Sequence, residues 1–318
     1  MKAGVLLEFN HIPVMLNECI DGLNIKPDGI YVDGTVGGAG HSIEIAKRLT
    51  AGKLIAIDRD PEAVSVAGER LKGLNAEVVH ANFSSIDEIL REREILSVNG
   101  ILLDLGVSSH QLDTSERGFS YHNDAPLDMR MSKVGISAKD IVNTYSYESL
   151  SRIIFEYGEE KYAKSIAHSI VKYREDNEIL TTGELAEIIR SSVPQKARRD
   201  KNPCKKTFQA IRIAVNDELG HISLALDKAF DALSVGGRLC VISFHSLEDR
   251  LVKGRFQSFC QGCICPPDFP VCICNKTPRG KLINRKPIEA TASELEKNKR
   301  SRSAKLRIIE KIKENDND

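Results

Sequence analysis

Two short apolar runs, each ending in an aspartate, enclose a glycine-rich loop near the start of the chain. The first run ends at Asp33, the loop occupies residues 34–41, and the second run ends at Asp58. This order is typical of the first half of a doubly wound nucleotide-binding sheet. There, glycines let the backbone approach a ligand and the second carboxylate receives ribose hydroxyls. The segment therefore predicts an α/β fold with a ligand at the carboxyl ends of its strands.

The loop differs from both common phosphate-binding patterns. It lacks the Gly-x-Gly-x-x-Gly spacing of dinucleotide sites, and no Gly-Lys-Ser/Thr follows it as in a P-loop. An acid on each of two strands and a loop without a phosphate signature suit S-adenosylmethionine, which carries a cationic methionine end and a ribose but no phosphate. A glycine-rich turn in an unrelated α/β protein is the alternative interpretation.

Length and composition indicate a globular protein rather than a membrane or secreted one. A chain of 318 residues forms one large domain or two modest ones. No apolar run approaches the ~20 residues of a membrane-spanning helix. Glu8 and His11 interrupt the apolar N-terminal stretch, unlike a signal peptide, so we expect a cytoplasmic protein. Its eight cysteines are then expected to be thiols or metal ligands rather than a disulfide framework.

Basic residues cluster although the formal net charge is zero. The segments 196–206 and 297–307 hold six basic residues each, and the segment 276–286 holds five. A single block of this kind is often only a solvated surface. Three blocks within residues 196–307 favour a surface that faces the phosphates of a nucleic acid.

Strand and helix patterns alternate up to residue 105 and then stop. Strands are predicted at 30–33, 53–57, 77–80 and 100–104, with helices at 41–49, 61–73 and 85–94. Helical periodicity follows, including a capping box at Thr181-Thr182-Gly183-Glu184. Helices at 207–219 and 221–233 then lead to a fifth strand at 239–244 and two final strands at 281–288 and 304–312. We predict a Rossmann-like, mostly parallel sheet of about seven strands in residues 1–106 and 206–318, and a helical insertion domain in residues 107–205.

Two strand ends carry candidate catalytic groups. Asp104 ends the fourth strand and is followed by Ser108 and Ser109, while His245 follows the fifth strand in the segment Phe244–Arg250. A carboxylate at Asp104 orients an amine or accepts its proton. The alternative roles are structural: an aspartate that caps a turn, and a histidine that serves only the fold.

Four cysteines lie in two Cys-x-Cys pairs near the end of the chain. They are Cys263 and Cys265, then Cys272 and Cys274, with Pro266, Pro267 and Pro270 beside them. Four thiolates suit a small structural zinc site. Because Cys-x-Cys is a less usual spacing than Cys-x-x-Cys, unligated thiols or redox-labile disulfides remain alternatives.

The chain closely resembles the bacterial small-subunit ribosomal RNA cytosine-N4 methyltransferases, the RsmH or MraW family. The matching segments cover nearly its whole length. They are residues 11–16, the glycine loop to His41, residues 56–61, 82–83, 100–109, 111–113, 117–120, 125–131, 157–160, 208–213, 243–253 and 301–307.

The resemblance implies a class I methyltransferase domain with an inserted helical domain. It also implies cofactor contacts from the glycine loop and the strand ends: Gly37, Ala39, Gly40, His41, Asp58, Phe83, Asp104 and Gln111. Ala39 stands where the family usually has glycine, and His110 where it usually has proline. If residue 39 needs a positive φ, alanine costs on the order of 1 kcal/mol there.

We therefore expect methyl transfer from S-adenosylmethionine to the N4 amine of a cytidine in 16S ribosomal RNA. Asp104 is the expected orienting group, with Ser108, Ser109 and His245 as further candidates, and Phe119 and Tyr121 are expected to stack on the unstacked base. The expected partners are the small ribosomal subunit and a second copy of the chain, with no membrane. A nicotinamide-dependent dehydrogenase and a non-catalytic RNA-binding assembly factor are the rival functions.

Overall fold

The structure is a computed structural model that describes residues 12–196, 202–266, 271, 273–274 and 276–314. The chain divides into two compact units. The first combines Met1–Gly106 with Leu219–Asp318, and the second is Val107–Glu218. The second unit extends past the predicted end of the insertion at residue 205, because the helix Cys204–Asn216 buries Phe208 and Ile211 in its core. That these two units act as a methyltransferase domain and an insertion domain stays a prediction.

The first unit contains a mixed, mostly parallel sheet, which confirms the predicted α/β class. Within the described residues its strands are β1 (Ile30–Asp33), β2 (Lys53–Asp58), β3 (Ala76–His80), β4 (Val98–Asp104), β5 (Leu233–Ser243), β6 (Gly280–Leu282), β7 (Ile288–Glu289) and β8 (Lys305–Lys311). The order is β3-β2-β1-β4-β5-β8-β6, with β7 also paired to β8. β1 to β5 run parallel, and β8 is antiparallel to β5. The sheet has eight strands because the strand predicted at 281–288 is two short strands.

Helices follow most strands of the first unit. They are α1 (Leu16–Leu23), α2 (Gly40–Ala46), α3 (Pro61–Arg70), α4 (Ile86–Arg91), and, after the second unit, Glu218–Ala232, Ser246–Cys260 and Ala292–Lys297. The predicted helices at 41–49, 61–73 and 85–94 are each shorter than expected at the C-terminal end. α3 starts as predicted, with Pro61 in its first turn and Asp60 accepting a hydrogen bond from the Glu62 N–H.

Both faces of the sheet are covered, and this explains the continuous apolar strands. On β4 the side chains of Ile101 and Leu103 join one core, whereas Leu102 lies in the other. Side chains of a strand alternate between the two faces, so a strand that is buried on both sides is apolar at every position. The polar residues are then confined to the strand ends, where a ligand is accessible.

The second unit is helical. Its helices are α5 (Ser109–Asp113), α6 (Ala138–Thr144), α7 (Tyr147–Glu156), α8 (Ala163–Arg174), α9 (Thr182–Ser192) and α10 (Cys204–Asn216). Leu150, Ile154, Ile166 and Ile170, which recur in the sequence at the spacing of a helix face, are buried in its core. The predicted capping box is present, since Thr181 and Glu184 exchange hydrogen bonds at the start of α9. In the following, α11 is Glu218–Ala232, α12 is Ser246–Cys260 and α13 is Ala292–Lys297.

Each helix in the described part of the chain is too short or too polar to span a membrane.

Candidate active site

Three aspartates end three adjacent parallel strands of the first unit. In the sheet register Asp33 of β1 lies opposite Ala56 of β2 and Leu102 of β4. Asp58 and Asp104 therefore extend two residues beyond Asp33, on either side of it. Since the strand order reverses direction at β1, this is the point of an open α/β sheet where ligands bind.

Asp33 orders the glycine loop. One carboxylate oxygen accepts a hydrogen bond from the Thr35 N–H at 3.1 Å, and the other accepts one from the Ser42 hydroxyl at 2.6 Å. Burial raises the pKa of Asp33, and the positive potential of His41 together with these hydrogen bonds opposes that rise. The sequence reasoning missed Thr35 and Ser42. The Asp-x-Thr spacing, which is typical of a side chain that bonds the backbone two residues on, is a signal for the first of them.

The glycine loop adopts left-handed backbone conformations at Gly37, with φ of 46°, and at Ala39, with φ of 62°. Ala39, which stands where the family usually has glycine, therefore has a backbone conformation that favours glycine. The Ala39 side chain is fully buried beside Val36 and Ala56. Left-handed strain of about 1–2 kcal/mol is thus offset in part by burial of one methyl group, which contributes about 0.8 kcal/mol. This burial explains how the fold accommodates alanine.

His41 is held by the loop that precedes α1. Its Nε2 lies 3.0 Å from the Val14 carbonyl oxygen. Because a carbonyl only accepts, Nε2 carries the proton and Nδ1 presents a lone pair. Nδ1 is 3.9 Å from the nearer carboxylate oxygen of Asp104. Burial lowers the pKa of His41, and the neighbouring Asp33 opposes this.

Asp58 binds two backbone N–H groups. Its Oδ2 accepts from Gly37 at 2.9 Å, and its Oδ1 accepts from Asp60 at 2.9 Å. Burial raises the pKa of Asp58 to about 6 in spite of both hydrogen bonds. The carboxylate thus links the glycine loop to the turn after β2, and each oxygen retains a lone pair for a further donor.

Phe83 begins a 3₁₀ turn after β3, where Asn82 caps the turn. Its Cβ approaches Gly34 so closely that a methyl group on residue 34 would lie 3.1 Å from it and 2.5 Å from Leu103 Cδ2. Only glycine at position 34 allows this approach.

Asp104 is the least satisfied of the three carboxylates. Its backbone N–H donates to the Thr35 hydroxyl at 2.7 Å. Its Oδ1 is buried and has no hydrogen-bond partner within the described part of the chain. Burial, followed by the negative charges of Asp33 and Glu248, raises the pKa of Asp104 well above its usual value. A buried acceptor without a partner at the switch point of the sheet is the signature of a group that meets a ligand.

His245 caps α12. Its Nδ1 accepts from the Glu248 N–H at 3.4 Å, and its Nε2 lies 3.0 Å from Glu248 Oε1. The other Glu248 oxygen accepts from the N–H groups of Phe244, at 2.8 Å, and His245, at 3.2 Å. Glu248 is fully buried, and sequence reasoning gave it no role of its own. The Nδ1 bond to its own helix suits the structural alternative, whereas the buried Nε2, which has no hydrogen-bond partner among the described residues, suits the catalytic one.

Comparison with known proteins identifies the family. The sequence profile of the MraW methylase family matches residues 8–312. The chain belongs to the MraW methylase family. A protein of Lachnospira eligens named ribosomal RNA small subunit methyltransferase H is 54% identical over 314 residues, which are 97% of this chain and 100% of that protein. A protein of the same name from Clostridium botulinum strain Kyoto is 54% identical over 309 residues, covering 96% of this chain and all of that protein.

A solved structure of an rRNA methylase from Streptococcus thermophilus is also similar. It is 12% identical, covers 95% of this chain and 99% of that chain, and has a TM-score of 0.43.

The other candidate site residues of this family member lie in the second unit. They are Ser108, Ser109, Gln111, Phe119 and Tyr121. Ser108 and Gln111 form a capping box on α5: the Ser108 N–H donates to Gln111 Oε1 at 3.0 Å, and the Gln111 N–H donates to the Ser108 hydroxyl at 3.2 Å. Ser109 is the first residue of that helix. The prediction for Phe119 is wrong, because its side chain is buried in the helical core under the Arg117 guanidinium. Tyr121 is half-buried, with its ring edge-on to Phe208 at 5.3 Å.

The basic segments of this family member differ in how much of them is accessible. In the segment 276–286 the exposed cations are Lys276, Lys281, Arg285 and Lys286. In the segment 297–307 they are Lys297, Lys299, Arg300 and Arg302. Arg307 is buried and forms a bidentate ion pair with Asp249. Lys305 also contacts Asp249, so both cations have a structural role. Residues 197–201 of the segment 196–206 lie outside the described residues.

Three of the four predicted metal ligands converge. The sulfur atoms of Cys263, Cys265 and Cys274 all lie within 4.8 Å of one another. Cys272, the predicted fourth ligand, lies outside the described residues.

Proposed function

We propose that the chain transfers a methyl group from S-adenosylmethionine to the exocyclic N4 of a cytidine in 16S ribosomal RNA of the small subunit. The observation that carries the proposal is the buried Oδ1 of Asp104, which has no hydrogen-bond partner among the described residues, in a chain of the MraW methylase family. The names of the two relatives support ribosomal RNA as the substrate. The cytosine N4 specificity rests on the family resemblance.

The residues of the first unit fit the cofactor. A β-carbon on Gly37 would meet only the Thr35 carbonyl, at 3.9 Å, so the loop is open at that point. We assign ribose binding to Asp58, whose oxygens each retain a lone pair, and further cofactor contacts to Gly37, Ala39, Gly40, His41, Phe83 and Asp104. When bound, S-adenosylmethionine supplies an electrophilic methyl group on a cationic sulfur.

Asp104 orients the amine that is methylated. The lone pair of a cytosine N4 is delocalised into the ring, so the amine is a poor nucleophile and must be held in line and relieved of a proton. An oxygen of Asp104 accepts an N–H of this amine and thereby fixes its direction. The raised pKa of Asp104 makes its carboxylate a stronger base than an ordinary aspartate, which suits it to take that proton. Ser108, Ser109 and His245 are the lower-ranked candidates for the same role.

The target base must leave its stack to reach such a pocket. The exposed cations of the segments 276–286 and 297–307 suit the phosphates around it. The proposal includes a second copy of the chain as a partner. Light scattering on the purified protein tests this, because it measures the molar mass in solution. It also includes the cytoplasm as the location.

The decisive experiment is methyl transfer on a defined substrate. The purified chain is incubated with radiolabelled S-adenosylmethionine and small ribosomal subunits that lack the modification, and the RNA is digested to nucleosides. We expect label in N4-methylcytidine, and Asp104→Asn serves as the control. RNA binding without methyl transfer would instead indicate the assembly factor, and binding of a dinucleotide would indicate the dehydrogenase.

We propose in addition that Cys263, Cys265, Cys272 and Cys274 bind a structural zinc ion, with Cys272 assigned from the sequence pattern alone. The Cys263 and Cys274 sulfurs are 3.7 Å apart, close to the ~3.8 Å that tetrahedral zinc with ~2.3 Å bonds to sulfur requires. Each sulfur also accepts a hydrogen bond from a backbone N–H at 3.4 Å. Cys265 N–H donates to Cys263, Ile273 N–H donates to Cys265, and Ile264 N–H donates to Cys274. Such N–H groups stabilise thiolates and orient metal ligands.

Metal analysis tests this site independently of methyl transfer. The chain is purified without chelator, and its zinc content is measured by mass spectrometry. We expect about one zinc per chain, and loss of this zinc in Cys263→Ser and Cys274→Ser. Cys260→Ser is the matched control, because that cysteine lies on α12 outside the cluster and should leave the zinc in place. Absence of zinc from the unaltered chain, or its retention in both cluster variants, would refute the site.

A further inference from the structure

The segment 12–15 lies directly on the start of α2, beside the glycine loop. The Val14 carbonyl accepts the hydrogen bond from His41 described above. Pro13 packs against Gly40 so tightly that a β-carbon on residue 40 would lie 2.3 Å from Pro13 Cγ. Both contacts reach residues assigned to cofactor binding, so the position of this segment sets the position of the loop's end.

The opposite side of this segment is held by residues that lie far away in the sequence. The Met15 N–H donates to Glu294 Oε1 at 2.7 Å, and Asn298 Nδ2 donates to the Ile12 carbonyl at 3.0 Å. Glu294 lies on α13, and Asn298 immediately follows it. The segment 12–15 is therefore held between the end of the chain on one side and α2 on the other.

The backbone conformation of Met15 shows that the segment depends on these contacts. Its φ of 52° is left-handed, a conformation that costs a non-glycine residue about 1–2 kcal/mol. The Met15 N–H is bound by Glu294, a residue 279 positions away in the sequence. A strained residue persists only where surrounding contacts determine its conformation.

Asn298 is itself fixed by the turn that follows. Its Oδ1 accepts from the Arg300 N–H at 3.2 Å, and its backbone oxygen accepts from the buried Ser301 hydroxyl at 2.6 Å. The amide Nδ2 therefore points to Ile12 in a defined orientation. This turn also carries Lys299 and Arg302, two of the exposed cations that we assign to RNA binding.

We propose that Glu294 and Asn298 are positioning residues for the cofactor site. They hold the segment 12–15 in place, and through Pro13 and Val14 they set the geometry of Gly40 and His41. The inference rests on the proposed function for the identity of the cofactor. The hydrogen bonds that support it are formed within the chain and involve no cofactor atom.

Two pairs of variants isolate the hydrogen bonds from general stability. Glu294→Ala removes the acceptor for the Met15 N–H, whereas Glu294→Gln retains an amide oxygen there. Asn298→Asp retains the acceptor for the Arg300 N–H but removes the donor to Ile12. Glu296→Ala, an exposed glutamate on the same helix, is the matched control.

Calorimetric binding of S-adenosylhomocysteine is the first measurement. Glu294→Ala and Asn298→Asp should weaken binding by roughly 3- to 10-fold, the range of one lost hydrogen bond. Glu294→Gln and Glu296→Ala should bind within about 2-fold of the unaltered chain. Unchanged affinity in Glu294→Ala and Asn298→Asp, even with a lower melting temperature, would overturn the proposal, because the contacts would then serve stability alone.

Hydrogen exchange in the absence of any ligand separates this inference from the proposed function. We expect faster amide exchange at Gly40 and His41 in Glu294→Ala and Asn298→Asp than in Glu296→Ala. If the unaltered chain failed to bind the cofactor, the proposed function would fall, while faster exchange would still support the positioning role. Equal exchange in all variants would refute the positioning role even if methyl transfer were established.

Discussion

The backbone N–H of Asp104 donates a hydrogen bond to the side-chain hydroxyl of Thr35, 2.7 Å away. This contact ties the end of β4 to the start of the glycine loop, which Asp33 and Asp58 hold from the other strands. Three carboxylates on three strands thus converge on one short loop. Burial, and after it the negative charge of Asp33 and other nearby acids, raises the pKa values of Asp58 and Asp104.

Replacement of Asp58 by alanine should weaken cofactor binding by roughly 1.5–3 kcal/mol, the scale of a lost charged hydrogen bond. The same change releases the Gly37 and Asp60 N–H groups that Asp58 binds. Calorimetry on a variant that retains its far-ultraviolet circular dichroism provides the measurement. Unchanged affinity in a folded variant would remove Asp58 from the site.

Asp58 should also make the stability of the ligand-free chain fall as the pH rises from about 4 to about 6. Its pKa is raised from 3.8 to about 6, so in this window the folded state binds more protons than the unfolded state. The contribution lost is at most about 3 kcal/mol, since each pKa unit corresponds to about 1.4 kcal/mol. Urea unfolding at several pH values measures this slope. It should be shallower in Asp58→Asn, and an identical slope in that variant would contradict the assignment.

Asp104→Asn should reduce the single-turnover rate of methyl transfer by about 10²–10⁴-fold, the scale of a lost general base. Asparagine keeps the size of the side chain but removes the charge that orients and deprotonates the amine. Burial disfavours the charged form of Asp104, so the variant should be at least as stable as the unaltered chain at neutral pH. Rate and cofactor affinity are measured on one sample. Near-normal transfer would exclude Asp104 as the orienting group and leave His245 to be tested.

His245→Asn and His245→Ala separate capping from catalysis. Asparagine caps helices well, so it should retain the stability of α12, whereas alanine should cost about 1 kcal/mol. If His245 serves only the fold, methyl transfer by His245→Asn stays within about 3-fold of the unaltered rate, because losing a general base costs on the order of 10²-fold or more. A large rate loss in a stable asparagine variant would establish a catalytic role.

Neutralising Lys297, Lys299 and Arg302 with glutamine should flatten the salt dependence of RNA binding. Each lost phosphate contact on single-stranded RNA lowers the log–log slope by about 0.7, so three contacts lower it by about 2. Cofactor affinity should not change. Lys72→Gln is the control, because Lys72 is exposed and lies outside the basic segments. An unaltered slope in the triple variant would identify this segment as a solvated surface only.

Local sequence was sufficient for most of the secondary structure of the first unit. The positions of β1, β2 and β4 follow from apolar runs that end in Asp33, Asp58 and Asp104, because a strand that is buried on both faces has no polar position except at its ends. The capping box at Thr181 likewise depends on residues three apart. The strand predicted at 281–288 was less accurate, since pairing with β8 alone defines β6 and β7.

The sequence determined that this chain forms an α/β sheet with a glycine loop and acids at its strand ends, because those signals lie within a few residues of one another. Only the tertiary structure decided which polar groups remain for a ligand. It buried Phe119 in a core, paired Arg307 with Asp249, and bound Met15 to Glu294, 279 residues away. Such contacts join segments whose separation in sequence carries no periodic or capping signal, so only the folded chain brings their partners together.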